Sequence, residues 1–173
     1  GVALERIWQL REELVVFLDT CGDSAQPHLD VMRSIGDMCN LAFLVDMFGH
    51  LNKLNLKLQG KGKCITDLWS AVRSFRMQLD VFEEDIKGDM NHFPSLKAFV
   101  TDWEHGVSND DYLIFITKVK TEFEDRFSEF RRVESLLSLI KSPLQAQPDG
   151  TWREGVHAAS LDVSVPAIQQ SAI

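Results

Sequence analysis

Leu41 to Lys63 read LAFLVDMFGHLNKLNLKLQGKGK, and this stretch decides the fold. Leu41, Leu44, Val45, Phe48, Leu51 and Leu58 step by threes and fours, the period of a helix with one broad apolar face. The text then turns to amides and lysines and stops at Gly60 and Gly62. Glycine takes the left-handed conformation at a helix end without steric cost, so the helix ends there.

Working outward, the same helical pattern reaches back to about Leu29, with an interruption at Ser34-Ile35-Gly36, and Gln26-Pro27 marks a loop and restart before it. Leu4, Ile7, Trp8, Leu14, Phe17 and Leu18 predict one N-terminal helix, stopped by Cys21-Gly22-Asp23. Downstream, Ile65, Leu68, Trp69, Val72, Phe75, Leu79, Phe82 and Ile86 form a seam ending at Gly88. A short helix over Pro94 to Thr101 follows. Ser108-Asn109-Asp110-Asp111 then reads as an N-cap with acids in the first turn, where the helix dipole favours them. Tyr112, Ile116, Val119, Phe123, Phe130, Val133, Leu137 and Ile140 carry a last helix to Lys141, stopped by Ser142-Pro143.

No stretch alternates with period two. The expectation is an all-α fold of four long helices plus a short one, with residues 1–143 as one domain and residues 144–173 as a mobile tail. At 173 residues, with 45% hydrophobic and 25% charged positions, the chain is long enough for a substantial core. Its formal net charge of −8 disfavours strong autonomous nucleic-acid binding, because an acidic chain gains nothing from counterion release. Cys21, Cys39 and Cys64 are odd in number and lack paired spacing, which suits a reducing, intracellular compartment. Charges within Gly1 to Leu18 read as neither a signal peptide nor a membrane span.

Five blocks carry a resemblance: LERIWQLREEL at 4–14, FLVDMFGHLNKLNLKLQG at 43–60, AVRSFRMQL at 71–79, NHFP at 91–94 and EDRFSEF at 124–130. In this order they resemble proteins derived from hAT-superfamily DNA transposases, the group with general transcription factor II-I repeat, SCAN-domain and BED-type zinc-finger members. The resemblance implies the helical insertion of an RNase H-like fold, a nuclear context, and self-association or docking to another protein. Such nucleases cut DNA with an Asp, Asp, Glu triad and two metal ions. The aligned part starts after the early strands and ends before the final glutamate, so no catalytic residue carries over. The pattern also breaks near the end, where Ser142-Pro143 is separated from Leu161-Asp162-Val163 by an unmatched stretch holding Trp152 and His157.

Metal binding needs about four ligands round one point. Cys39 and His50, on one predicted helix, stand about 16 Å apart and cannot share an ion unaided. The acids Glu83-Glu84-Asp85, Asp110-Asp111 and Glu122/Asp125/Glu129 are interleaved with bases, as on a solvated face. No catalytic elbow or phosphate loop is present, so neither an enzyme activity, a cofactor nor a small-molecule substrate is expected. The nucleic-acid candidates are Lys53, Lys57, Lys61 and Lys63, beside Asn52, Asn55 and Gln59. These lysines suit phosphates, and they equally suit the negative end of a helix dipole. Trp8 and Trp69 sit in apolar stripes, whereas Trp103 and Trp152 lie in loops. The reading is a non-catalytic, transposase-derived helical module for protein association, with weak DNA contact. Its rivals are a four-helix signalling protein and part of an active transposase.

Overall fold

Helix periodicity produces helices throughout the computed structural model, which describes residues 1–60, 62–101, 108–129 and 136. They are α1 (Val2–Gln9), α2 (Arg11–Thr20), α3 (Gln26–Arg33), α4 (Ile35–Leu58), α5 (Ile65–Lys87), α6 (Pro94–Thr101) and α7 (Asp110–Arg126). No strand occurs among the described residues. Residues 144–173, Trp103, Trp152 and the predicted continuation of α7 to Lys141 lie outside them, apart from residues 127–129 and 136.

The expected four long helices become three, α4, α5 and α7, with four short ones among the described residues. The N-terminal stripe divides at Leu10, whose φ of −100° and ψ of 15° leave the helical region. Both halves keep the same apolar spacing, which is why the period alone read as one helix. The expected interruption at Ser34 does occur. Ser34 is extended, and its hydroxyl accepts from the Asp37 N–H at 3.3 Å, capping α4. Cys64 caps α5 through a reciprocal pairing with Asp67, a role more often filled by Ser or Thr. Gly22, Gly60 and Gly62 take positive φ at the turns where the sequence stops each helix.

α4 is the central element, packed against α1, α3, α5 and α6, while α7 lies against α5 and α2 against α3. Its buried face is Cys39, Ala42, Phe43, Met47 and Leu54. That face is rotated from the expected one: Leu44 and Leu51 pack at its edge, and Phe48 is exposed. A helix contacted on several sides buries more than one stripe, so spacing alone misplaces its centre.

The α5 seam holds from Val72 onward, with Val72, Phe75, Leu79, Phe82 and Ile86 buried, whereas at its start Leu68 and Trp69 are only half-buried and Ile65 is exposed. Phe43 stacks on Tyr112 at 4.6 Å and on Phe93 at 5.3 Å, and Phe82 meets Phe93 edge-on at 5.4 Å. Burial pushes the Tyr112 hydroxyl up to about 12. α7 runs antiparallel to α5. The Asn109 amide donates to the Ile86 carbonyl at 2.8 Å, Lys120 pairs with Asp80 and with Glu83 at 3.1 Å, and Arg76 meets Glu124 at 3.6 Å.

Candidate functional site

Four polar side chains gather where α4, α5 and the start of α6 converge. Asp46 sits inside the apolar run of α4, 9% exposed. Its Oδ2 accepts from the Ser95 N–H at 2.9 Å and the Leu96 N–H at 3.1 Å, so it caps α6 from another helix. One turn later, His50 Nε2 donates to the His92 carbonyl at 2.8 Å, which fixes the Nε2–H tautomer in the neutral ring. Asp85, near the end of α5, accepts from the Asn91 N–H at 3.0 Å and the His92 N–H at 2.6 Å. The same carboxylate stands 3.1 Å from His92 Nδ1.

These bonds hold the Gly88 to Phe93 turn, in which Met90 takes a φ of 53°. A non-glycine residue at positive φ carries strain and needs such support. Burial raises the Asp46 carboxyl above its ordinary range, against the opposing pull of the Leu96 and Ser95 bonds and of His50. Burial lowers His50, partly offset by its bond to His92 and by Asp46, while Lys53 lowers it further. Burial alone would raise Asp85, but the hydrogen bonds from His92 and Asn91 prevail and lower it. Beside this cluster lies a hollow of about 410 Å³, lined by Glu5, Trp8, Asn52, Lys53 and His92 among others.

Sequence reasoning missed Asp46 and His92. The available signal was the lone carboxylate inside LVDMF, since a charge within an apolar stripe must find partners.

Of the candidate lysines, those described lie along the C-terminal end of α4 and the turn after it. Lys53 borders the hollow and Lys57 is exposed one turn on. The Lys63 ammonium donates to the Lys57 carbonyl, at the negative end of α4. Lys61 lies outside the described residues. Of the neighbouring amides, Gln59 donates to Asn55 Oδ1 at 3.1 Å.

The acids are likewise placed. Glu83 takes Lys120 and Thr117, and Arg126 reaches Glu122 at 3.8 Å. No group of three or more His, Cys, Asp or Glu among the described residues is arranged to hold a metal ion. Cys21, Cys39 and Cys64 are free thiols, of which Cys39 is buried. No helix of the described residues is long and apolar enough to cross a membrane.

Residues 1–87, from α1 to the end of α5, match the model of the FAM200/GTF2IRD2 helical domain. The chain belongs to this family. That match spans the part of the FAM200/GTF2IRD2 helical domain holding Asp46, His50, Asp85 and the lysines. The chain is 36% identical over 144 residues to general transcription factor II-I repeat domain-containing protein 2 of Bos taurus, covering 83% of the chain and 14% of that protein. It is 34% identical over 155 residues to the Mus musculus protein of the same name, covering 89% and 16%. The chain therefore spans only a small part of the curated relatives it matches. No solved structure matches.

Stability of this FAM200/GTF2IRD2 helical domain should respond to acid through His50. A histidine whose folded pKa is lowered contributes fully above its unfolded value, 6.5, and that contribution is lost as pH falls through the folded value. Asp85 titrates lower, because its folded value lies below 3.8. Asp46, raised from 3.8, acts in the opposite sense, losing its contribution as pH rises through its folded value. Melting temperature should therefore fall between about pH 7.5 and about pH 5, and His50→Gln should flatten the fall. An unchanged slope in the variant would remove His50 from the account.

Proposed function

We propose that this chain is a non-catalytic helical module of hAT-transposase descent, from the helical part of an RNase H-like fold, that works by protein association in the nucleus. The family match and the relatives' names, which carry the words transcription factor, support descent and compartment. The resemblance to SCAN-domain and BED-type zinc-finger relatives belongs to the same reading.

The observation that carries the function is how the side chains are used. Asp46, Asp80, Glu83 and Asp85 serve as caps and ion pairs, while Val16 and Phe17 face outward at 67% and 61% exposure. Carboxylates committed to backbone and lysine partners are poorly placed to gather metal, and outward apolar side chains gain by being covered. DNA contact is secondary, through the lysines of α4 and the turn after it.

The test has two arms. Duplex DNA incubated with the chain and magnesium should stay uncut, and photo-cross-linkers on exposed helix positions should give defined protein adducts in nuclei. Magnesium-dependent cutting, or an absence of adducts, defeats the proposal. Any weak DNA binding should fall with salt at about −0.9 in log–log slope per phosphate neutralised, and flatten when Lys53, Lys57, Lys61 and Lys63 become Gln. An unchanged slope would assign those lysines to the helix end alone.

A further inference from the structure

We infer that the Gly88 to Phe93 turn is an acid-released catch, held shut by the neutral ring of His50 and freed when that ring takes a proton. The ring is the tether that α4 offers to the turn, since its Nε2–H donates to the His92 carbonyl at 2.8 Å. Its surroundings are otherwise aromatic, with the Phe82 ring centroid at 4.4 Å and that of Phe93 at 6.1 Å. α5 supplies the other tethers. The Asp85 carboxylate holds the Asn91 and His92 N–H groups, and the Asp85 carbonyl accepts from the Met90 N–H at 2.9 Å. Met90 keeps a φ of 53°, which a residue with a side chain holds only while its surroundings impose it. The tethers thus restrain a backbone that gains by letting go.

Because Nε2 keeps its hydrogen on the carbonyl, an added proton goes to Nδ1. The imidazolium then sits half-buried among phenyl rings. A cation over an aromatic face recovers only part of the hydration it gives up, in keeping with the lowering of this histidine by burial. Charges reach the ring from every element around it. On α4, Asp46 attracts the imidazolium, but its carboxylate is committed to the Ser95 and Leu96 N–H groups, and Lys53 repels it. A charged His92 in the turn repels it as well. Asp85 on α5 stands 3.1 Å from His92 Nδ1, so a proton on His92 tightens that pair instead of loosening it. Lys97 on α6 donates to the Asn91 side chain at 2.8 Å, and Glu5 on α1 lines the hollow of about 410 Å³. His50 and His92 line the same hollow, which gives the charged ring room to turn towards water. That movement withdraws the Nε2–H from the His92 carbonyl. The turn then keeps only its α5 tethers and the Lys97 contact, and Met90 can relax.

Amide hydrogen exchange of the 173-residue chain, read by NMR at about pH 7.5 and about pH 5.5 as protection relative to an unstructured peptide at the same pH, tests this. The Asn91 and His92 amides should lose protection at least about three-fold in acid. Opening confined to a turn exposes little surface, so their exchange should ignore about 1 M urea, which speeds exchange at Leu79 and Phe82 in α5. His50→Gln keeps a donor but takes no proton, and should abolish the loss, whereas His92→Gln should retain it. In wild type the loss should follow the ring signals of His50 and not those of His92, a readout that needs no variant to fold. Turn amides that open only together with the α5 amides, a loss that survives His50→Gln or vanishes in His92→Gln, or one that follows the His92 ring overturns the inference.

Discussion

Phe82→Ala should lower the stability of this chain by about 3–5 kcal/mol, the cost of truncating a fully buried aromatic that leaves a cavity. Phe82 is 0% exposed and sits where α5 meets the start of α6, with Phe93, Phe75 and the His50 ring around it. Domains are stable by only about 5–15 kcal/mol, so this one change consumes a large share and should lower the melting temperature by roughly 10 °C. Met77→Ala, on the same helix but exposed, should stay within about 0.5 kcal/mol of wild type in dilute protein. Comparable losses for both by urea denaturation would mean that the α5 seam faces the wrong way.

Asp46→Ala should cost about 2–3 kcal/mol, although it removes a charge from a buried position. The carboxylate supplies the hydrogen-bond partner for two N–H groups in the first turn of α6, and bonds to a charged acceptor exceed neutral ones. Without it, the Ser95 and Leu96 donors lose their side-chain acceptor. Asp46→Asn keeps the size and one acceptor oxygen and should lose roughly half as much. Because burial raises the Asp46 carboxyl, the charge itself is partly unfavourable there, and the hydrogen bonds offset it. A fully stable Asp46→Leu variant would show that packing, not capping, holds α6 to α4.

The helices were legible because their punctuation is chemical. Gly22, Gly60 and Ser34 stop or start elements through φ preference or a side-chain oxygen, and those signals act within a few residues. The split at Leu10 carries no such signal, as leucine is a good helix former and the apolar spacing runs across it. The α5 seam was readable since the helix is buried along one stripe, whereas α4 is contacted from several sides and its centre shifted. The polar cluster was illegible for another reason. Asp46 finds its partners 49 and 50 residues away, and His50 finds its partner 42 residues away, separations that no local pattern encodes. Lys63 reads equally well as a phosphate contact or a helix-end donor, and it donates to the carbonyl of Lys57.

The Asn109 amide on the Ile86 carbonyl ties residues 23 positions apart, at the point where α7 begins its run along α5. α4 and α5, by contrast, are neighbours across a short turn. Loop closure costs conformational entropy before any contact repays it, so the α4–α5 hairpin can assemble early while α7 must wait for the intervening chain to close. An element that docks late contributes little to the rate of folding and much to the rate of opening. The lifetime of the folded chain is therefore set disproportionately by Tyr112, Ile116 and the clasp at Asn109, while the speed of its formation is set by the hairpin beneath them.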